Sequence, residues 1–143
     1  MRKEDLAKSI KSEFGKKTES FSSPSKKRIY LEIRPDYLRT AVKYLKEQGL
    51  RFSTASAIDE RDYMEVLYHF SYDKEGVFVS LRIKLERKKP GADTIADIIT
   101  GAKWIEREMR ELMGIRFEGN EDMREFLLSK DYKGRKYPLR KDG

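Results

Sequence analysis

The sequence predicts an α+β fold: a small, mostly antiparallel or mixed sheet of about four strands with helices on one face. An N-terminal helix and an extended C-terminal tail complete the expected architecture. Two observations carry this reading. Between residues 28 and 85, four stretches alternate apolar and polar residues, which gives strands buried on one side only. The segments before, between and after them repeat their apolar residues at helical spacing, with Gly or Pro at the joins.

Leu6, Ile10 and Phe14 recur every fourth residue and Gly15 follows, a short amphipathic helix expected to pack on a partner rather than on its own domain. Ser20-Phe21-Ser22-Ser23-Pro24-Ser25 reads as a flexible linker. The chain therefore divides into a helix (1–19), a linker (20–27), an α+β domain (28–130) and a tail (131–143). Within the domain, Ile29, Leu31 and Ile33 define a strand, and Pro35 opens a helix carrying Leu38, Ala41, Val42 and Leu45 up to Gly49. A strand from Leu50 to Ile58 follows, with Leu50, Phe52, Thr54, Ser56 and Ile58 on one face. Met64, Val66, Tyr68 and Phe70, then Val77, Val79, Leu81, Ile83 and Leu85, alternate about Asp73-Lys74-Glu75-Gly76 and predict a hairpin. After Pro90-Gly91 the helical period returns through Ile95, Ile98 and Ile99. Beyond Thr100-Gly101, with Thr100 as the expected cap, it continues through Ala102, Ile105, Met109, Leu112 and Met113 to a stop at Gly114. Met123 to Leu128 gives one or two further helical turns, and Asp131 to Gly143 has no core-forming period.

Composition narrows the function. The chain has 143 residues, enough for one core, with 38% hydrophobic, 11% aromatic and 40% charged residues. A surface rich in Lys and Glu leans toward a thermophilic source. With no cysteine, disulfides, thiolate zinc sites and iron–sulfur ligation on this chain are excluded. With His69 as the single histidine, multi-histidine metal sites and His-based triads are excluded too, and the lone strand histidine reads as a surface or interface residue. The opening MRKEDLAKSIKSEFG lacks an apolar signal core and no window is apolar enough to span a bilayer, so a soluble intracellular domain is expected. The net charge of +7 gathers at Lys16-Lys17, Lys26-Lys27-Arg28, Arg87-Lys88-Lys89 and Lys133 to Lys141. Acidic residues are interleaved through most of the chain, which favours solubility or a protein partner over nucleic acid.

Paired carboxylates are the first candidates for chemistry. Glu108 and Glu111 are helical neighbours, while Glu106 with Arg110 and Arg107 with Glu111 form alternating-sign pairs four residues apart. A carboxylate beside a cation stays ionised, unlike a general acid, so the pattern reads as a solvated or docking face. Phosphate-binding loops and the aromatic signature of RNA-recognition sheets are absent. No autonomous active site is visible.

The run Ala102-Lys103-Trp104-Ile105-Glu106-Arg107-Glu108-Met109-Arg110-Glu111-Leu112-Met113-Gly114-Ile115-Arg116-Phe117-Glu118-Gly119 is followed by Arg124, Leu127-Leu128 and the closing Pro138-Leu139-Arg140-Lys141-Asp142. It closely resembles the signature of the respiratory complex I 30 kDa subunit family (the C-type subunit of NADH-quinone oxidoreductases). That signature is A-x-W-x-E-R-E, two residues, an aliphatic pair, Gly-Ile, x-F-x-G, and later P-L-R-K-D. The helix-strand order and Asp59 after the second strand are also similar, so the resemblance covers residues 28 to 142. This sequence departs from the pattern at Glu111-Leu112-Met113 and at Asn120-Glu121, where the family commonly has His-Pro. A histidine role there is lost, and a divergent branch is indicated. The short, cysteine-free, Lys/Glu-rich chain resembles the archaeal membrane-bound hydrogenase and sulfane sulfur reductase relatives more than mitochondrial or bacterial NADH dehydrogenases.

The resemblance implies a non-catalytic scaffold subunit of a membrane-bound oxidoreductase that couples electron transfer to ion translocation. Such a scaffold holds no cofactor; iron–sulfur clusters, and a NiFe site in hydrogenases, belong to its partners. Those partners are the hydrogenase-like large subunit and the iron–sulfur small subunit, with the membrane arm reached indirectly, in a hetero-oligomer peripheral to the cytoplasmic side of the cell membrane. Carried over residue by residue, the motif places Trp104, Glu106, Arg107, Glu108, Glu111, Gly114, Arg124, Pro138, Leu139, Arg140 and Lys141 at the partner interface. No nucleic acid is expected; a basic nucleic-acid-binding α+β module is the alternative.

Overall fold

The computed structural model describes residues 3–15, 18–25 and 27–120. Helix α1 (Lys3–Phe14) leads into strand β1 (Thr18–Ser25) and strand β2 (Arg28–Ile33). A single 3-10 turn at Pro35–Tyr37 opens helix α2 (Leu38–Glu47), which Gly49 ends with a left-handed φ of 88°. Strands β3 (Arg51–Asp59), β4 (Tyr63–Tyr72) and β5 (Val77–Glu86) follow as a meander, then a short strand β6 (Gly91–Asp93), helix α3 (Ala102–Met113) and a short strand β7 (Arg116–Glu118).

The main sheet is mixed, with five strands in the order β1-β2-β5-β4-β3. Pairs β1–β2, β5–β4 and β4–β3 are antiparallel, while β2 and β5 run parallel from Arg28 beside Phe78 to Glu32 beside Arg82. The expected β4–β5 hairpin is present, with Tyr72 opposite Val77. Strands β6 and β7 form a separate parallel pair that the hydrophobic pattern did not announce, being too short to show a period.

One face of the main sheet carries the core. Ile29, Leu31 and Ile33 of β2, Met64 through Tyr72 at alternate positions of β4, and Val77 through Leu85 at alternate positions of β5 are all buried. The apolar sides of the helices complete this layer, including Leu38, Ala41, Val42 and Leu45 of α2. The opposite face holds an ion-pair lattice instead. Arg82 lies 2.9 Å from Glu32 and 3.1 Å from Glu65, and Lys84 lies 3.4 Å from Glu32.

Five expectations are corrected. Residues 20–25 are not a linker: they belong to β1, whose backbone pairs with β2 from Ser20 opposite Glu32 to Ser25 opposite Arg28. An edge strand needs ladder partners on one side only, which tolerates Pro24 at a register shift. Helix α1 packs on its own domain: Leu6, Ile10 and Phe14 have no exposed surface, and the Phe14 ring meets Tyr37 and Tyr44 edge-on at 5.5 and 5.2 Å. Ser9 and the Tyr44 hydroxyl add a hydrogen bond between α1 and α2. In β3 the single-face assignment fails at Ser53. Phe52 pairs with Phe70 and Thr54 with His69, so Ser53 is an extra residue and the alternation inverts beyond it. Ala55 and Ala57 are therefore half-buried and Asp59 is buried, while Thr54, Ser56 and Ile58 are exposed. Finally, Ile95–Ile99 forms turns rather than a helix, closed by the Ile98 and Ile99 amides on the Ile95 carbonyl. Helix α3 is flanked by Gly101 and receives no side-chain cap, so the expected capping by Thr100 does not occur. The expected turns at Met123–Leu128 and the tail at 131–143 lie outside the described residues.

Full burial of a large aromatic side chain makes truncation costly through both lost transfer free energy and a residual cavity. We expect Phe14→Ala to lower the unfolding free energy of the isolated chain by about 3–5 kcal/mol in urea titrations. A loss below about 1 kcal/mol, the scale of an ordinary surface change, would return α1 to a partner-binding role.

Candidate functional site

The charged run on α3 divides by burial. Glu106, Arg107 and Glu111 are buried, whereas Glu108 is exposed and Trp104 retains 49% of its surface. The helix ends where the glycine pattern placed it: Gly114 has φ 76°, and its amide donates to the Arg110 carbonyl at 3.1 Å.

Glu106 is an internal fastener rather than half of a surface pair with Arg110. Its side chain accepts hydrogen bonds from the Thr94 hydroxyl at 2.5 Å, the Ile95 amide at 2.9 Å and the Asn120 side-chain amide at 3.0 Å. The Thr94 oxygen in turn accepts from the Ala96 amide at 3.0 Å, which leaves its proton for Glu106. Burial raises the Glu106 pKa above the usual carboxylate range, an effect that these three donors oppose and the Asp97 charge reinforces. Below it the Tyr68 hydroxyl is buried without a hydrogen-bond partner among the described residues, and its own pKa is raised by burial and by the Glu106 charge.

The same loop is held from the other side by α2. Arg39 donates to both Asp97 carboxylate oxygens at 2.7 Å and to the Thr94 carbonyl at 2.6 Å, and Lys46 donates to the Ile98 carbonyl at 2.8 Å. The Arg39 hydrogen bonds hold the Asp97 carboxyl down at about 2. Strand β7 closes the arrangement, since the Thr94 amide donates to the Glu118 carbonyl and the Arg116 amide to the Pro90 carbonyl. Gly119 has φ 93°, and a Cβ there would lie 2.9 Å from the Thr94 methyl group. The glycine that ends the motif thus leaves room for the threonine that holds Glu106.

What remains outward on α3 is Trp104 and Glu108, both exposed. The Arg107 guanidinium stacks over the Trp104 ring at 4.7 Å from its centroid, beside half-buried Ile105 and Leu112. Of the residues that the sequence motif assigned to the partner interface, Trp104 and Arg107 meet on α3. Sequence reasoning missed Thr94 and Asn120, which are far apart in sequence and carry no periodic signal. Arg124, Pro138, Leu139, Arg140 and Lys141 lie outside the described residues.

The catalytic alternatives find little support. His69 is half-buried, with Nδ1 2.9 Å from the Ser80 hydroxyl, and its pKa is lowered by burial and by Arg28. Ser80 is 6% exposed. Among the described residues, no group of three or more His, Cys, Asp or Glu is arranged to hold a metal ion, and no helix is long and apolar enough to cross a membrane. Tyr68, Phe70 and Tyr72 belong to the core and cannot stack on bases. A separate part-buried pair braces the end of β3: Arg87 donates to both oxygens of buried Asp59 at 2.7 and 2.9 Å.

Comparison with known proteins follows this geometry. The profile described as "Respiratory-chain NADH dehydrogenase, 30 Kd subunit" matches residues 31–143. The C-type subunit of the NADH-quinone oxidoreductase of Ruegeria pomeroyi is 35% identical over 121 residues, covering 80% of this chain; the chain spans 59% of that relative's length. The C-type subunit of the F(420)H(2) dehydrogenase of Methanosarcina mazei is 32% identical over 125 residues, covering 84% of this chain and 77% of the relative. Among solved structures, a chain of the membrane-bound sulfane sulfur reductase, an archaeal respiratory membrane complex, superposes with a TM-score of 0.86 at 24% identity. It covers 97% of this chain and 84% of that one. The trypsin-resistant fragment of Nqo5 gives 0.71 at 19% identity over 82% of this chain and 98% of that one. At these identities the two structures establish a shared fold.

Because Glu106 meets three donors, replacing it by an amide must aim an N–H at one of them. Glu106→Gln is expected to destabilise the chain by about 2–3 kcal/mol in urea titrations near neutral pH. The pH dependence has a definite sign. A raised native pKa means that folding takes up a proton between the ordinary Glu value and the raised one, so the Glu106 contribution falls as pH rises through that window. Asp97, Arg39 and Tyr68 share its electrostatic surroundings and are present in both proteins. The wild-type minus variant stability difference should therefore shrink across that window; a difference independent of pH contradicts the assignment.

Proposed function

The chain belongs to the 30 kDa subunit family of the respiratory-chain NADH dehydrogenase, and on that premise we propose that it is a non-catalytic scaffold subunit of a membrane-bound, complex I-related oxidoreductase. It sits in the hydrophilic arm, docked on the hydrogenase-like large subunit beside the iron–sulfur subunit, peripheral to the cytoplasmic side of the cell membrane. Electron transfer coupled to ion translocation belongs to the assembly. The iron–sulfur clusters, and a NiFe site where the assembly evolves hydrogen, belong to the partner chains.

The observation that carries this reading is Trp104, half-exposed on a helix whose underside is locked by Glu106 and whose buried Arg107 guanidinium lies against the indole ring. A half-exposed tryptophan on a rigid element, steadied by the buried arginine against its ring, is among the residue types most enriched at binding hot spots. Glu108 stands exposed beside it and gives the surface a charge for selecting its partner. Glu106 supports docking from within, by holding α3 in place. The names of the relatives, subunits of NADH-quinone oxidoreductase and of F(420)H(2) dehydrogenase, support membership of an oxidoreductase assembly.

Trp104→Ala should weaken association with the remaining subunits at least ~30-fold, as for a hot-spot residue, in reconstitution followed by gel filtration. The urea midpoint of the free chain should hardly change. Undiminished assembly by the folded variant would sink the docking role of this surface. Salt-dependent binding of oligonucleotides by the wild-type chain would point to the nucleic-acid reading instead.

A further inference from the structure

We propose that the outer edge of β3 and the groove between it and α3 accept an extended segment of a partner subunit as a sixth strand of the main sheet. Among the described residues β3 is the last strand of that sheet, paired with β4 along one side. In an antiparallel pair, alternate residues direct their N–H and C=O groups away from the partner, so the other side of β3 offers a row of outward ladder groups. Beyond the Ser53 bulge the register runs unbroken from Thr54 to Asp59. Neither proline nor a basic side chain guards this stretch, which reads Thr54-Ala55-Ser56-Ala57-Ile58. Its small side chains let another backbone approach to ladder distance.

The groove alongside has a volume of about 160 Å³. Ala55 and Ala57 form one wall and Ile105, Met109 and Leu112 the other. A strand edge facing an apolar helix across a narrow groove is the geometry in which main-chain hydrogen bonds supply affinity and alternate side chains fill pockets. Glu108 lines the same groove, exposed and, among the described residues, with no hydrogen bond or ion pair. An anionic rim over an apolar floor specifies the occupant: an extended segment with apolar residues at alternate positions and a Lys or Arg placed to reach Glu108.

This inference rests on the subunit reading above, and hydrogen exchange separates the two. The amides within residues 54–58 that point away from β4 should exchange at least ~10-fold more slowly in the assembled complex than in the free chain. The protein has no cysteine, so Ser56→Cys provides a unique, exposed attachment point for a benzophenone cross-linker. Irradiation of the labelled complex should link it to an extended segment of another subunit. Assembly with unchanged β3 exchange overturns the strand addition and leaves the subunit reading intact. A cross-link to residues 121–143 of the same chain, or to a second copy, overturns it as well. Failure of the chain to assemble with any other subunit overturns both.

Discussion

A carboxylate with almost no exposed surface must be met by donors, and where those donors come from decides how the chain is arranged. For Glu106 they come from Thr94 and Ile95 in the loop before α3 and from Asn120 beyond β7. Neither segment forms a regular element able to satisfy its own backbone over any length. Both depend on the helix between them, and the helix depends on them for its position over β3. Removing one partner of such a buried cluster leaves the others unpaired in a medium that solvates them poorly. The outward residues of α3 inherit their positions from this inward constraint.

Much of the fold is legible in the sequence because burial on one face writes a period. Strands β4 and β5 alternate without a break, and their hairpin and facing follow directly. Helix α2 reads equally well from Leu38, Ala41, Val42 and Leu45. The misreadings share a cause. Ser53 shifts the phase of β3 by one residue, and a pattern of period two cannot survive a single insertion. β1 is held by the backbone of β2 more than by its own side chains, so its serines resemble a linker. The turns at Ile95–Ile99 carry apolar residues at helical spacing, yet Arg39 and Lys46 of α2 take the loop carbonyls a helix would have used. Tertiary contacts overrode a local period there.

The candidate site was legible as a motif before its geometry was known. Charge spacing placed Glu106 on a solvated or docking face, and nothing in that spacing distinguishes a buried carboxylate from an exposed one. The distinguishing partners, Thr94 and Asn120, lie 12 and 14 positions away. Asn120 also explains a departure from the family pattern. It stands where the family commonly has histidine and supplies a donor to Glu106, so hydrogen-bonding capacity is retained without an imidazole. The glycines divide similarly: Gly114 serves the end of the helix, while Gly119 makes room for Thr94.

The parallel junction between β2 and β5 has a consequence in time rather than in space. β1 with β2, and β3 with β4 and β5, are each built from neighbours in the chain and close short loops. Joining the two groups sets Ile29 beside Val79, across the whole of α2, β3 and β4. Among the strand pairings of the sheet, loop-closure entropy is greatest for that one, and it yields no stabilisation until much of the meander exists. A ribosome releasing this chain must expose β5 before the sheet can become one sheet. Until then the unpaired edge of β2 is the segment most open to association with the wrong strand.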